Sequence, residues 1–275
     1  MALIVCGVDG STPARAAARL SAALARRLNL GLVLEHALPR AGDRSAALAM
    51  LEELRSDLDL PTARLRVDTG PASERLATAG LGAALLVVGG ANGRADRARL
   101  GGSLRASLVR RSPCPVAVVP AVPRLGGSEV ICGVRDCADV ATATVATRLA
   151  GALRLPLTLL HVLPAAVGHD ARSAPRPGVL DRPWDHEAAY RLLEVVAKAV
   201  GGTPTLRVAH GTAGRRLAHE ASAADAGLLV VGAPTRGRLQ ATLTGSASAH
   251  LIYRSPRPLI VCCSASASGL PRTLC

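Results

Sequence analysis

The 275-residue chain repeats its own motifs in order, and a repeat of this length restricts the fold to two copies of one unit. "IVCGVDGS" at 4–11 returns as "ICGVRDC" at 131–137, and "LVLEHALP" at 32–39 returns as "LTLLHVLP" at 157–164. "LLVVGGANGRADRARLGGS" at 85–103 is answered by "LLVVGAPTRGRLQATLTGS" at 228–246, and "RSPCPVAVV" at 111–119 by "RSPRPLIVC" at 254–262. The offset grows from 126 residues at the first motif to 143 at the last, so the second copy carries an insertion after its second strand. The polar, proline-containing stretch near 165–187 is where it falls. Two domains are therefore expected, at 1–122 and 129–264, followed by a tail at 265–275.

Within each copy, short apolar runs alternate with helical patterns. "LIVCGV" is the continuous run expected of a strand buried on both faces. "RAAARLSAALARRL" then places Leu20, Leu24 and Leu28 on one helical face. A second strand, a helix, a more amphipathic third strand ("ARLRVDT"), a helix opened by Pro71, and the strands "ALLVVGG" and "PVAVVP" with a helix between them complete the unit. Such alternation predicts an α/β fold with a parallel sheet, right-handed crossovers and helices on both faces. Phe is absent and only Trp184, Tyr190 and Tyr253 are aromatic, so the core must be built from Ala, Leu and Val. In such sheets ligands collect at the carboxyl ends of strands, where Asp9 and Gly89 lie.

Charge and cysteine content narrow the function classes. A formal charge of +13 invites nucleic-acid binding, but the arginines are dispersed and there is almost no aromatic stacking platform, so a solvated basic face is the favoured reading. No CxxC pair occurs among the seven cysteines. Cys6 and Cys132 sit in strand-like runs and are expected reduced and buried; a bridge between the vicinal Cys262 and Cys263 would be strained, and Cys275 alone is expected exposed. No apolar run reaches membrane-spanning length and the opening residues lack a basic leader, so a cytoplasmic location without membrane contact is expected.

The stretch 85–105 leaves a strand, passes through glycines and opens a helix at Gly102-Ser103. Free N–H groups of a helix start suit an anion, glycines let backbone approach it, and Ser103 serves either as a helix cap or as a phosphate donor. No Walker signature is present, and spacing alone leaves phosphate binding and plain capping both open.

Taken together, these motifs resemble the universal stress protein family in its tandem two-domain form. In the nucleotide-binding branch the family pattern is Gly, two residues, Gly, nine residues, then Gly-Ser or Gly-Thr. Gly89, Asn92 and Gly102-Ser103 keep that register, as do Gly232, Thr235 and Gly245-Ser246. The resemblance implies two Rossmann-like or flavodoxin-like domains, each with a five-stranded parallel sheet of order 3-2-1-4-5. It also implies bound ATP or AMP, with Mg2+ as an accompanying ion. Carried over by position, Asp9 meets the ribose or base, and Ala37 offers its backbone to adenine. Gly89, Asn92, Gly102, Ser103 and the N–H of Leu104 then surround the phosphates. In the second copy the matching set is Val162, Gly232, Gly245 and Ser246. Thr235 is a poor residue for a left-handed backbone, and Arg135 replaces the acid that matches Asp9, so a lost or remodelled second pocket is expected. The fifth strands are expected to pair the two halves, with a homodimer as a further option.

Other residues carry weaker signals. His36 and His161 are equivalent and are expected to hydrogen-bond at strand ends. His169, His186, Asp170, Asp181 and Asp185 match no metal-ligand spacing. Trp184 and Tyr190 are expected to pack over the core, with a partner surface as the alternative. No catalytic triad, base or Walker lysine is recognisable. The leading expectation is a nucleotide-dependent stress-response regulator or adaptor with an unidentified protein partner. A nucleotide-free scaffold and a nucleic-acid-associated basic protein are the alternatives, and weak ATP hydrolysis stays open.

Overall fold

The computed structural model describes residues 2–38, 42–90, 104–120, 126–164, 186–233 and 247–262. The first half runs β1 (Leu3–Gly7), α1 (Thr12–Leu28), β2 (Gly31–Leu38), α2 (Arg44–Asp57), β3 (Arg64–Thr69), α3 (Ala72–Ala79), β4 (Ala83–Gly89), α4 (Leu104–Arg111) and β5 (Val116–Val119). The second runs β6 (Val130–Gly133), a 3-10 turn (Cys137–Asp139), α5 (Val140–Leu153), β7 (Leu157–Leu163), α6 (His186–Val200), β8 (Thr205–His210), α7 (Ala213–Ala223), β9 (Leu228–Gly232), α8 (Ala247–Arg254) and β10 (Leu259–Cys262).

The ten strands form one sheet in the order β3-β2-β1-β4-β5-β10-β9-β6-β7-β8. Each half keeps the expected 3-2-1-4-5 order with parallel neighbours. The halves join where β5 meets β10 in the sheet's one antiparallel pair, Val116 opposite Val261, Ala117 opposite Ile260 and Val118 opposite Leu259. Both seam strands are wholly buried. A strand with two apolar faces and an apolar edge is covered on all sides only in the middle of a sheet, which is why the two fifth strands face each other. The linker residues 121–125 lie outside the described residues.

Local chemistry fixes the elements that frame the strand ends. Ser11 caps α1, its hydroxyl accepting from Ala14 N at 3.4 Å, and Pro13 follows in the first turn. α1 buries Leu20 and Leu24 against the sheet, and Asn29 ends it in the left-handed region at φ 53°. The halves also meet through helices. Arg27 donates to Leu153 O at 2.9 Å, and the Arg105 guanidinium lies 5.8 Å from the ring centroid of Tyr253. Cys6, Cys114, Cys132 and Cys262 are buried, and burial pushes the Cys6 thiol up to about 12.

Two expectations are corrected. Cys137 is exposed, because it sits in the turn ahead of α5 and not in a strand as its neighbour Cys132 does. Tyr190 is 40% exposed: α6 turns Ala189, Leu193 and Val196 inward, and Tyr190 falls off that face. Trp184 and the insertion residues 165–185 lie outside the described residues, and the last two residues of the stretch assigned to the insertion, His186 and Glu187, belong to α6.

Candidate functional site

At the carboxyl ends of β1, β2 and β4 a cavity of about 310 Å³ opens between the starts of α1, α3 and α4. Its wall includes Asp9, Glu35, His36, Ala37, Gly89, Leu104 and Arg105. The four described residues that the sequence assigns to the first site, Asp9, Ala37, Gly89 and Leu104, are thus brought together. Asn92, Gly102 and Ser103 lie outside the described residues.

Each wall residue is held by its element. Asp9 Oδ1 accepts from Ser11 N at 3.0 Å and from the Ser11 hydroxyl at 2.5 Å, so it braces the loop that caps α1. His36 Nδ1 lies 2.7 Å from Val8 O. A carbonyl only accepts, so Nδ1 carries a proton. Gly89 has a reason of its own: a Cβ there would lie 2.7 Å from Pro13 C and 2.8 Å from Ala14 N, inside the backbone of α1. The absence of a side chain lets β4 touch the first turn of α1, and that contact forms this corner of the cavity.

Two charged wall residues were missed by the sequence reading. Glu35 is fully buried in β2; its Oε2 accepts from Arg66 Nη2 at 2.5 Å, while its Oε1 has no hydrogen-bond partner among the described residues. Burial holds its carboxyl above the ordinary carboxylate range, and the Arg66 guanidinium opposes this. Arg105, 4% exposed, lies in the first described turn of α4 on the opposite side of the cavity. The cavity wall thus takes an acidic residue from β2 and a basic residue from α4.

The raised Glu35 value has a consequence for folding. The folded chain binds the Glu35 proton more tightly than the unfolded chain, whose value stays near 4.5. Stability from this site is complete below that pH and is lost as pH rises through the raised folded value. Glu35→Gln abolishes this dependence. The melting-temperature gap between Glu35→Gln and the parent, in favour of Glu35→Gln, is expected to open on passing from acid to neutral pH, and a gap constant with pH contradicts the argument.

The second half has its own cavity of about 270 Å³ at the ends of β6, β7 and β9, lined by Arg135, Leu160, His161, Val162, Leu217 and Gly232 among others. Val162 and Gly232 line it, whereas Gly245 and Ser246 lie outside the described residues. His161 Nδ1 donates to Val134 O at 2.8 Å, repeating His36. The charges do not repeat. Leu160 occupies the Glu35 position, and Ser248 occupies that of Arg105. Arg135 is committed to the nearly buried Asp139: its backbone N–H and Nε donate to Oδ2 at 2.8 and 3.1 Å, and Nη2 to Oδ1 at 2.9 Å. These bonds hold the guanidinium more firmly protonated than usual. Asp139 Oδ1 fills the space over Gly232, 2.5 Å from where its Cβ would be. Arg135 and Asp139 thus form an internal ion pair beside the second cavity.

His186, whose spacing to His169 matches no metal-ligand pattern, meets His210, Nε2 to Nε2 at 2.7 Å, and His169 lies outside the described residues. No group of three or more His, Cys, Asp or Glu able to hold a metal occurs among the described residues, and no helix there is long and apolar enough to cross a membrane.

The architecture has counterparts. A universal stress protein from Archaeoglobus fulgidus shares the fold with a TM-score of 0.71 at 16% identity, over 95% of this chain and 98% of that one. A functionally unknown protein from Pseudomonas aeruginosa gives 0.67 at 16% identity, over 96% and 93%. In sequence, universal stress proteins of Mycobacterium tuberculosis and Mycobacterium bovis are 32% identical over 183 residues, a stretch that is 64% of this chain and 61% of theirs. The match thus spans about three-fifths of those relatives' length. The model of the universal stress protein family fits residues 2–120 and again residues 130–262. With both halves matched along nearly their whole length, and the sheet order of each half as that resemblance implies, the chain belongs to the universal stress protein family.

Proposed function

We propose that this chain is a stress-response regulator or adaptor that binds ATP or AMP in its first half, and that nucleotide occupancy alters the surface it offers to a protein partner. The observation that carries the reading is the polarity of the first cavity, with Arg105 and the start of α4 on one side and Glu35 on the other. A nucleotide is the ligand class with a matching polarity: its phosphates are anionic and its base carries hydrogen-bond donors. Phosphate belongs at the α4 side, where a guanidinium and helix N–H groups favour anions, and is repelled from Glu35. The base then lies over the end of β2, beside Ala37 and Asp9. Asn92, Gly102 and Ser103 complete the phosphate cradle in this reading, and Mg2+ accompanies the triphosphate.

The second cavity is read as a site that does not take nucleotide, because Leu160 and Ser248 remove both poles and Asp139 occupies the space over Gly232. A cytoplasmic role remains part of the proposal. Nucleic-acid binding is disfavoured for a specific reason: at least eight arginines, among them Arg15, Arg66, Arg207 and Arg257, are already in ion pairs with carboxylates.

The test is direct. The purified chain is denatured and the released small molecules identified by mass spectrometry; calorimetry of stripped protein then gives the stoichiometry. One adenine nucleotide per chain is expected, and none, or two of equal affinity, contradicts the reading. Arg105→Ala is expected to weaken ATP binding by about 1.5–3 kcal/mol, the range for a hydrogen bond to a charged group, and to leave adenosine binding nearly unchanged. Equal losses for ATP and adenosine remove Arg105 from the phosphate.

A further inference from the structure

His186 and His210 stand at the carboxyl edge of the second half's sheet, one opening α6 and the other ending β8. Their Nε2 atoms lie 2.7 Å apart, with ring centroids 4.8 Å apart and ring planes tilted by 49°. Two N–H groups cannot face each other at that distance, so at least one Nε2 presents its lone pair to the other. Both residues are exposed, and solvent reaches the pair.

Nothing in the fold requires these two imidazoles. The buried stripe Ala47, Leu51 and Leu54 of α2 matches Ala189, Leu193 and Val196 of α6, which sets Arg44 against His186. The strand registers, Leu38 beside Thr69 and Leu163 beside His210, set Thr69 against His210. In the first half Arg44 ties α2 to β3 by donating to Val67 O at 2.8 Å. The second half has two facing imidazoles across the same gap in place of that tie.

We infer that His186 and His210 form a chelating site for a late first-row divalent cation, of the class of Zn2+, Ni2+ or Cu2+, which pins the start of α6 to the end of β8. Imidazole nitrogen suits these ions, whereas Mg2+ and Ca2+ take oxygen ligands. Bonds of about 2.0–2.1 Å at a tetrahedral angle set two nitrogens about 3.4 Å apart. The rings therefore part by less than an ångström to admit the ion, a movement that exposed side chains make without disturbing the core. Among the described residues no third His, Cys, Asp or Glu joins the pair, so water fills the remaining positions, as at an open metal site. The site belongs to the second half and needs no nucleotide.

The untagged full-length chain, freed of metal with EDTA and of nucleotide, is titrated with Zn2+ by calorimetry. It is compared with His186→Arg and His210→Thr, which give each position the first half's residue and so preserve the fold, as circular dichroism checks. One Zn2+ per chain is expected at this pair. Each variant should weaken it by at least about tenfold, since losing even the hydrogen-bond partner behind a ligand costs about 10- to 100-fold. Zn2+ at about a hundred times its dissociation constant should raise the parent's melting temperature by about 5 °C and leave both variants unmoved. Excess Mg2+ should not displace it. His219→Ala, which removes an exposed histidine of α7, is the control and should bind as the parent does. A parent that takes no Zn2+ overturns the inference, and so does Zn2+ binding that both pair variants retain or that His219→Ala loses equally.

Discussion

Val118→Arg is expected to destabilise the chain by about 4 kcal/mol or more, enough to lower its melting temperature by roughly 10 °C. Val118 is 5% exposed on β5, directly opposite Leu259 of β10 at the antiparallel seam. Its neighbours in the core, Val116, Leu251, Leu259 and Val261, offer no carboxylate to meet a guanidinium. The charge must be buried without a partner, or the seam must open. Opening the seam uncovers two apolar strand edges at once, an aggregation hazard. Small-angle scattering should therefore report an expanded or self-associated chain, while each half keeps much of its secondary structure. Thr205→Arg, at the exposed start of the terminal strand β8, is the control and should change stability by no more than about 0.5 kcal/mol. A Val118→Arg chain that stays compact with an unchanged melting temperature would show that the halves are held by something other than this seam.

That seam was legible in the sequence, and the reason is physical. "PVAVVP" and "PLIVCC" are apolar on both faces and short, so an edge position would leave them unprotected, and a tandem chain supplies its own partner. The alternation of strands and helices was legible too, from repeated apolar runs separated by helical patterns, while the strand order came with the family resemblance. Side-chain polarity inside the cavity was less so. Glu35 had a visible signal, a single acid in "LVLEHALP" where the second copy reads "LTLLHVLP", but a lone acid in a strand reads equally as a solvated edge residue. Arg105 gave none, because burial of an arginine in α4 depends on Tyr253 arriving from the other half. The Arg135–Asp139 pair was hidden for another reason. Their spacing of four suggests one helix, yet Arg135 precedes the 3-10 turn and Asp139 ends it, so the two meet by the fold of a loop.

Gly89 and Gly232 show the same limit, and they lead to the second large effect. Both open the glycine motif of their half and both read as places where backbone approaches a phosphate. In the structure each is also a packing position, with a different obstacle. At Gly89 the added Cβ meets the backbone of Pro13 and Ala14. That backbone cannot retreat cheaply, since Ala14, Ala17 and Ala18 pack α1 tightly onto the sheet. At Gly232 the Cβ meets Asp139 Oδ1, Arg135 Nη2 and Thr142 Oγ1, all side-chain ends, which shift more cheaply than a helix backbone. Gly89→Ala should therefore cost about 3 kcal/mol or more, at the upper end for overpacking, and Gly232→Ala about 1–2 kcal/mol. Denaturant midpoints measured with a common slope give the comparison. Moving α1 also shifts Ser11 and Ala14, which line the first cavity, so Gly89→Ala should lose nucleotide binding while Gly232→Ala keeps it. If the two variants lose stability equally, the rigid contact between β4 and α1 is not what requires glycine at residue 89, and close approach to a ligand becomes the better reason.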